Sequence, residues 1–295
     1  MHTNLVKVLT GQRRVGKSYL LFQIMQEVSQ LTNSNIIYLN KEDITFSDIK
    51  KSDDLNRFVQ NNKKAGYKNY VFIDEIQEIE GFETTLRSLI LDDSFDVYCT
   101  GSNANMMSAD IAGYLSGRYI EVKVYSLSYP EFLVFHSLEN QDESLEYYLK
   151  YGGMPYLHQL PLRDEIVFEY LKNIYNTIVY RDIINKFEVR NVPFLERLVQ
   201  FLASSTGSIF SAKRISDYLK SQNIRMSPNQ VQIYIGYLIN AFIIQPVRRF
   251  DLQGKRIFEV GEKYYFENTG IRNALWGYRL EDRSKLVENV VYNYL

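Results

Sequence analysis

Leu5-Val6-Lys7-Val8-Leu9-Thr10-Gly11-Gln12-Arg13-Arg14-Val15-Gly16-Lys17-Ser18-Tyr19-Leu20-Leu21-Phe22-Gln23-Ile24-Met25 is the stretch on which the fold turns. Its first six residues have the apolar content of a buried strand. Residues 11–18 match G-x-x-x-x-G-K-[ST] in full, and the apolar run from Tyr19 opens a helix, so the pattern sits in the strand, loop, helix context it requires. Gly11 and Gly16 permit backbone conformations that a Cβ would hinder. They turn amide N–H groups toward phosphates at a helix N-terminus, where the dipole also favours anions. On this reading Gly11, Gln12, Arg13, Arg14, Val15, Gly16, Lys17, Ser18 and Tyr19 bind a nucleotide. Lys17 reaches the β- and γ-phosphates and Ser18 ligates magnesium.

Further along the chain, Tyr70-Val71-Phe72-Ile73 reads as a buried strand that ends in Asp74-Glu75. This places two acids at the carboxyl end of a strand, where α/β sheets bind ligands. Asp74 suits the magnesium ion and Glu75 suits a base that polarises water. Phe95–Thr100 reads as another strand, finishing in Gly101-Ser102-Asn103. Either Ser102 or Asn103 could sense the γ-phosphate, and a plain strand-to-loop turn uses the same residue types. Gly117-Arg118 precedes a strand-like run, Tyr119–Val124. Arg118 is a candidate arginine finger, acting in cis or from a neighbouring copy, with a surface arginine as the alternative.

Bulk properties bound the rest. A chain of 295 residues suits two or three domains, and 45% hydrophobic with 23% charged residues is ordinary for a globular protein. The net charge of −1 excludes a globally basic nucleic-acid binder, so any such contact needs a local patch. Cys99 is the only cysteine, which rules out an intramolecular disulfide and a thiolate-rich zinc site and suits a reducing, cytoplasmic location. No apolar run approaches membrane-spanning length. The 24 tyrosines fit half-buried packing with the hydroxyl at the surface, or interfaces.

With the loop, Asp74-Glu75, Thr100-Gly101-Ser102-Asn103 and Gly117-Arg118 in this order, the chain resembles prokaryotic AAA-type P-loop ATPases with an uncharacterised C-terminal domain. Ser126–Phe132, Tyr151-Gly152-Gly153-Met154-Pro155 and Asn268–Leu275 are similar to recurring segments of that family. The resemblance implies ATP and Mg2+ as ligands and a lid region that moves with nucleotide. Family members usually begin some tens of residues before the first strand and continue beyond Tyr292 into a domain similar to restriction-endonuclease folds. After Leu286 there are no paired acids with a lysine, so nuclease activity is not expected of these residues; a fragment and a naturally shortened member are the alternatives.

The remaining patterns fill in the outline. Ser128-Tyr129-Pro130-Glu131 has capping-box spacing, an apolar-periodic segment runs from about Asp164 to Phe187, and Gly152, Gly153 and Pro155 mark a turn. Tyr180-Arg181-Asp182-Ile183 reads as a helix-surface charge pair. From Val192 to Phe266 the order is three helices and two strands, with Ser227-Pro228-Asn229-Gln230 starting the third helix. That order suits a winged helix whose wing, Arg248–Arg256, carries Arg248, Arg249, Lys255 and Arg256. These cations, with Lys213 and Arg214, could meet DNA phosphates. The uncharged helix 230–240 offers little to base edges, and such modules also bind proteins.

The expected fold is therefore an α/β P-loop NTPase parallel sheet flanked by helices (1–127), then a helical lid-like region (128–190), a winged-helix module (191–268) and the start of a truncated domain (269–295). The expected activity is Mg-dependent ATP hydrolysis to ADP and phosphate, coupled to switching of the winged-helix module. A nucleotide-gated protein-interaction scaffold with little turnover is the alternative. A small-molecule phosphotransferase is disfavoured, because no acceptor pocket is visible.

Overall fold

The structure is a computed structural model that describes residues 5–102, 115, 117–221, 224–247 and 261–294. Two compact units divide the chain, the first made of Met1–Gly11 and Gly16–Val124, the second of Gln12–Val15 and Tyr125–Leu295.

In the first unit, strands β1 (Val6–Thr10), β2 (Ser34–Asn40), β3 (Lys68–Asp74), β4 (Phe95–Gly101) and β5 (Tyr119–Lys123) form a parallel sheet in the order β2-β3-β4-β1-β5. Parallel strands need crossover segments that cover both faces, and buried strands read as near-continuous apolar runs, as β1, β3 and β4 do. Helix α1 (Lys17–Ser29) covers one face with Leu21 and Val28 against Leu9, Phe72 and Tyr98. On the other face, α2 (Ser52–Asn62) and α3 (Phe82–Leu89) set Leu55, Val59, Phe82 and Leu86 against Val8, Leu39, Ile73 and Val97. Lys7 and Asp96 form a buried ion pair across β1 and β4. β1 pairs with β4 on one side and β5 on the other, so the chain leaves β1 at the point where strand order reverses.

In the second unit, helices α4 (Tyr129–His136), α5 (Asp142–Tyr151) and α6 (Asp164–Ile178) follow one another, and α6 continues through a π-helical stretch, Val179–Ile184. Ser128 and Glu131 form the expected capping box of α4. Then come α7 (Val192–Ser204), α8 (Ala212–Ser221) and α9 (Pro228–Asn240), the last capped by Ser227 and Gln230. Strands β6 (Ile209–Phe210), β7 (Ile244–Val247) and β8 (Glu262–Phe266) make a small antiparallel sheet in the order β6-β8-β7. The sequence reading missed β6, which is only two residues long and too short to show a period.

Helix α10 (Thr269–Trp276), where the sequence reading set the start of a further domain, packs within this unit, with all of Thr269–Ala274 buried. Arg272 is 0% exposed. Its guanidinium donates to Ala203 O (2.8 Å), Asn273 Oδ1 (3.0 Å) and Asp282 Oδ2 (2.8 Å). Asn273 donates to the carbonyls of Leu149 and Lys150 near the end of α5, at 2.9 Å each, helping to satisfy groups that a helix terminus leaves unpaired. A Cβ on Gly270 would collide with the Tyr151 carbonyl, which accounts for glycine there and ties the Asn268 segment to the Tyr151-Gly152-Gly153 turn. α11 (Arg283–Tyr294) completes the unit. Among the described residues no helix is long and apolar enough to cross a membrane.

Candidate functional site

The loop after β1 begins at Gly11 and delivers Lys17 and Ser18 into the first turn of α1. Gly16, the residue before the helix, has φ 102°, a conformation that L side chains rarely adopt, and Arg14 also lies in the left-handed region at φ 69°. Lys17 is buried, and its Nζ donates to Gly11 O at 2.9 Å, folding the lysine across the loop. Ser18 is half-buried and Tyr19 exposed. Gln12, Arg13, Arg14 and Val15 form the tip. Gln12 Nε2 donates to Phe242 O at 2.9 Å, and the Arg13 guanidinium makes two bonds to Asp182, at 2.7 and 2.8 Å.

The acids at the end of β3 are fixed by one hydroxyl of β4. Thr100 Oγ1 donates to Asp74 Oδ1 at 2.5 Å and accepts the backbone N–H of Glu75 at 2.9 Å. The register that aligns Ile73 with Cys99 puts these groups at the same end of the sheet as Thr10, where the phosphate-binding loop starts. Glu75 is buried and left-handed, at φ 56° and ψ 51°. For a non-glycine residue this conformation costs on the order of 1–3 kcal/mol, and such outliers cluster at functional sites. Its Oε2 accepts from Ser102 Oγ at 3.1 Å and from Gln77 Nε2. Ser102 thus stands beside the second acid, whereas Asn103 lies outside the described residues.

Tyr38, on β2, is a group that the sequence reading passed over. Burial pushes its phenol up to about 12 and the neighbouring Asp74 charge adds to this, so it stays protonated. Its hydroxyl is buried, close to the Asn40 side chain and the Asp74 charge. No cluster of three or more His, Cys, Asp or Glu lies among the described residues. A magnesium ion needs none, because it is ordinarily held by one or two protein groups together with substrate phosphates and water. The donor set of one hydroxyl, Ser18, and one carboxylate, Asp74, fits that habit.

Arg118 is exposed and not brought to this end of the sheet. Its carbonyl accepts from Val6 N at 3.0 Å, and the next residue, Tyr119, pairs with Val6 at the start of β1. The phosphate-binding loop follows the other end of that strand, about 16 Å away at the usual rise per residue. Arg118 and the loop of its own chain therefore stand at opposite ends of β1. Arg248, Arg249, Lys255 and Arg256 lie outside the described residues.

Asp182 departs from the surface pair expected of it. It continues the buried stripe Leu171, Ile174, Tyr175, Ile178, Val179 and Ile183, and is 6% exposed against Arg13. A carboxylate at the apolar phase of a helix was the available signal.

Residues 3–133 match the family model described as an AAA domain, and residues 142–282 match one described as a domain of unknown function. Over 299 residues the chain is 33% identical to an uncharacterized protein of Haemophilus influenzae, an alignment covering 98% of this chain and 74% of that protein. An uncharacterized protein of Methanocaldococcus jannaschii is 28% identical, with 98% of this chain and 66% of that protein covered. Among solved structures the fold is similar to a Walker-type ATPase of Pyrococcus abyssi, with a TM-score of 0.61, 15% identity, and 92% and 90% of the two chains covered.

Proposed function

This chain belongs to the family of its Haemophilus influenzae relative and carries an AAA domain over residues 3–133, and on that premise we propose that it binds ATP with magnesium and hydrolyses it to ADP and phosphate. The observation that carries the proposal is the Thr100 hydroxyl, which fixes Asp74 and a strained Glu75 at the end of the sheet where the phosphate-binding loop begins. A site that only stores nucleotide has little need of a second acid held at such cost.

In this reading the loop amides and Lys17 bind the phosphates, and Lys17 exchanges its bond to Gly11 O for them. Ser18 and Asp74 would hold magnesium, which when bound neutralises charge on the phosphate oxygens. Among the described residues both hydrogen bonds to the Glu75 carboxylate fall on Oε2, leaving Oε1 to orient the attacking water and accept its proton. Ser102 meets the γ-phosphate side of the site through its bond to Glu75, and Asn103 is the alternative sensor.

We further read α7 to β8 as a winged-helix module that responds to nucleotide. Lys213, Lys220 and Arg225, with one acid, Asp217, line an open surface depression beside Ser227, and the excess of cations there supports contact with a phosphate backbone. Helix α9 presents uncharged groups, among them Ile233 at 51% exposure, which supports a protein partner on that face. The test is magnesium-dependent ATP hydrolysis by the purified chain beside Lys17→Ala and Glu75→Gln, with and without duplex DNA. Turnover lost in both variants, with Glu75→Gln still binding ATP, is the expected result. Stimulation by DNA would bring the module into the mechanism. Binding without turnover in the parent would favour the nucleotide-gated scaffold.

A further inference from the structure

The tip of the phosphate-binding loop is short of local determinants. Glycine stands at both ends, Gly11 and Gly16, and Arg14 between them is left-handed at φ 69°. Backbone of this kind has many accessible shapes, so its conformation must be set by what its side chains hold. Three successive tip residues are engaged by the second unit, to which the tip belongs. Gln12 donates to the carbonyl of Phe242, itself left-handed at φ 54°. Arg14 is close enough to Tyr170 of α6 for its charge to oppose the rise that burial imposes on that phenol. Between them, Arg13 and Asp182 form a two-bond pair, each side chain only 8% exposed.

A buried ion pair is weak as a stabilising device, since desolvation cancels much of the attraction, but it fixes geometry strongly. Asp182 also sits in the π-helical stretch of the α6 extension, a local widening that recurs at functional sites. We infer that Asp182 is a positioning residue of the nucleotide site: through Arg13 it holds the loop tip in the shape that receives the phosphates. The inference rests on the reading of residues 11–18 as an ATP-binding loop. It adds that ATP affinity is governed from residue 182, a residue with no direct part in phosphate contact.

The experiment measures Mg-ATP binding to the full chain by calorimetry for the parent, Arg13→Gln, Asp182→Asn, Asp182→Glu, the double variant Arg13→Gln/Asp182→Asn, and Asp282→Asn. Asp282→Asn breaks the comparable buried pair with Arg272 in the same unit, away from the loop, and so reports general destabilisation. The positioning role requires Arg13→Gln and Asp182→Asn each to weaken ATP binding about tenfold or more. It requires the double variant to be no weaker than the worse single one, Asp182→Glu to recover part of the loss, and Asp282→Asn to stay within about twofold of the parent. Should the stranded Arg13 charge keep Asp182→Asn from folding, the double variant, which carries neither charge, supplies the comparison. Parent-like binding by Asp182→Asn, strictly additive losses, or an equal loss in Asp282→Asn would overturn the inference alone. A parent that binds no ATP would overturn the function proposed above and this inference with it.

Discussion

Replacing Thr100 with valine changes one hydroxyl for a methyl of nearly the same shape, and at this position the hydroxyl makes two buried bonds. One goes to the Asp74 carboxylate, and a hydrogen bond to a charged group contributes about 1.5–3 kcal/mol. The other accepts the Glu75 N–H, and a buried donor left unsatisfied costs about 1–3 kcal/mol. The two together amount to roughly 2.5–6 kcal/mol for the first unit, because the buried site leaves little room for a replacement water. Losing the acceptor also removes one of the bonds that holds Glu75 in its left-handed conformation, so the carboxylate shifts. A displacement of about 1 Å at a catalytic group can cost on the order of 10²-fold in rate. Phosphate release at saturating Mg-ATP should therefore fall about 10²-fold in Thr100→Val while the KM changes much less, since the loop and Lys17 are untouched and Asp74 loses only a supporting bond. Thr100→Ser, which keeps the hydroxyl, should recover most of the rate. A valine variant that turns over within about threefold of the parent would refute the idea that this hydroxyl sets up the acids.

Other perturbations read different parts of the molecule. Arg118→Ala should leave ATP affinity of the isolated chain unchanged, because the residue sits at the far end of β1; any loss of turnover should appear only as protein concentration rises, and equal loss at all dilutions would contradict the placement. Burial pushes the Cys99 thiol up to about 12, so it should resist alkylation in the folded protein and react on unfolding, with Mg-ATP slowing the reaction; rapid labelling of the native chain would be the contrary result. For Asp282, burial works against ionisation, yet the hydrogen bond and charge of Arg272 hold its carboxyl below the ordinary aspartate value. A depressed carboxylate contributes stability above its unfolded pKa of about 4, and that contribution is lost as pH falls through the folded value. Acid titration followed by circular dichroism should show a shallower loss in Asp282→Asn, which starts from lower stability at neutral pH.

Much of the first unit was legible because its signals are local. A strand, two glycines, a lysine and a helix start lie within twenty-five contiguous residues, and the acids follow a strand that is apolar throughout. The N-caps at Ser128 and Ser227 were equally readable, since a capping box is a matter of spacing along the chain. What escaped depended on partners distant in sequence. Thr100 looked like the last residue of a strand until its hydroxyl was seen between Asp74 and Glu75. Asp182 looked like a surface charge because Arg13 is 169 residues away. The segment from Asn268 resembled the opening of something new, although its small and polar residues serve to let α10 approach the turn at Tyr151 and complete α5. Periodicity assigns a residue to a face but does not name what that face will meet.

The backbone at Glu75 bears on how such a protein can change over generations or under selection in the laboratory. Glycine or asparagine would occupy its left-handed conformation with less strain, so a screen that rewards heat resistance alone will favour discarding the glutamate. The chains that emerge would fold well and still grip nucleotide, but on the proposed mechanism they would have lost the group that orients water. At this position, on the proposed mechanism, robustness and turnover pull the sequence in opposite directions.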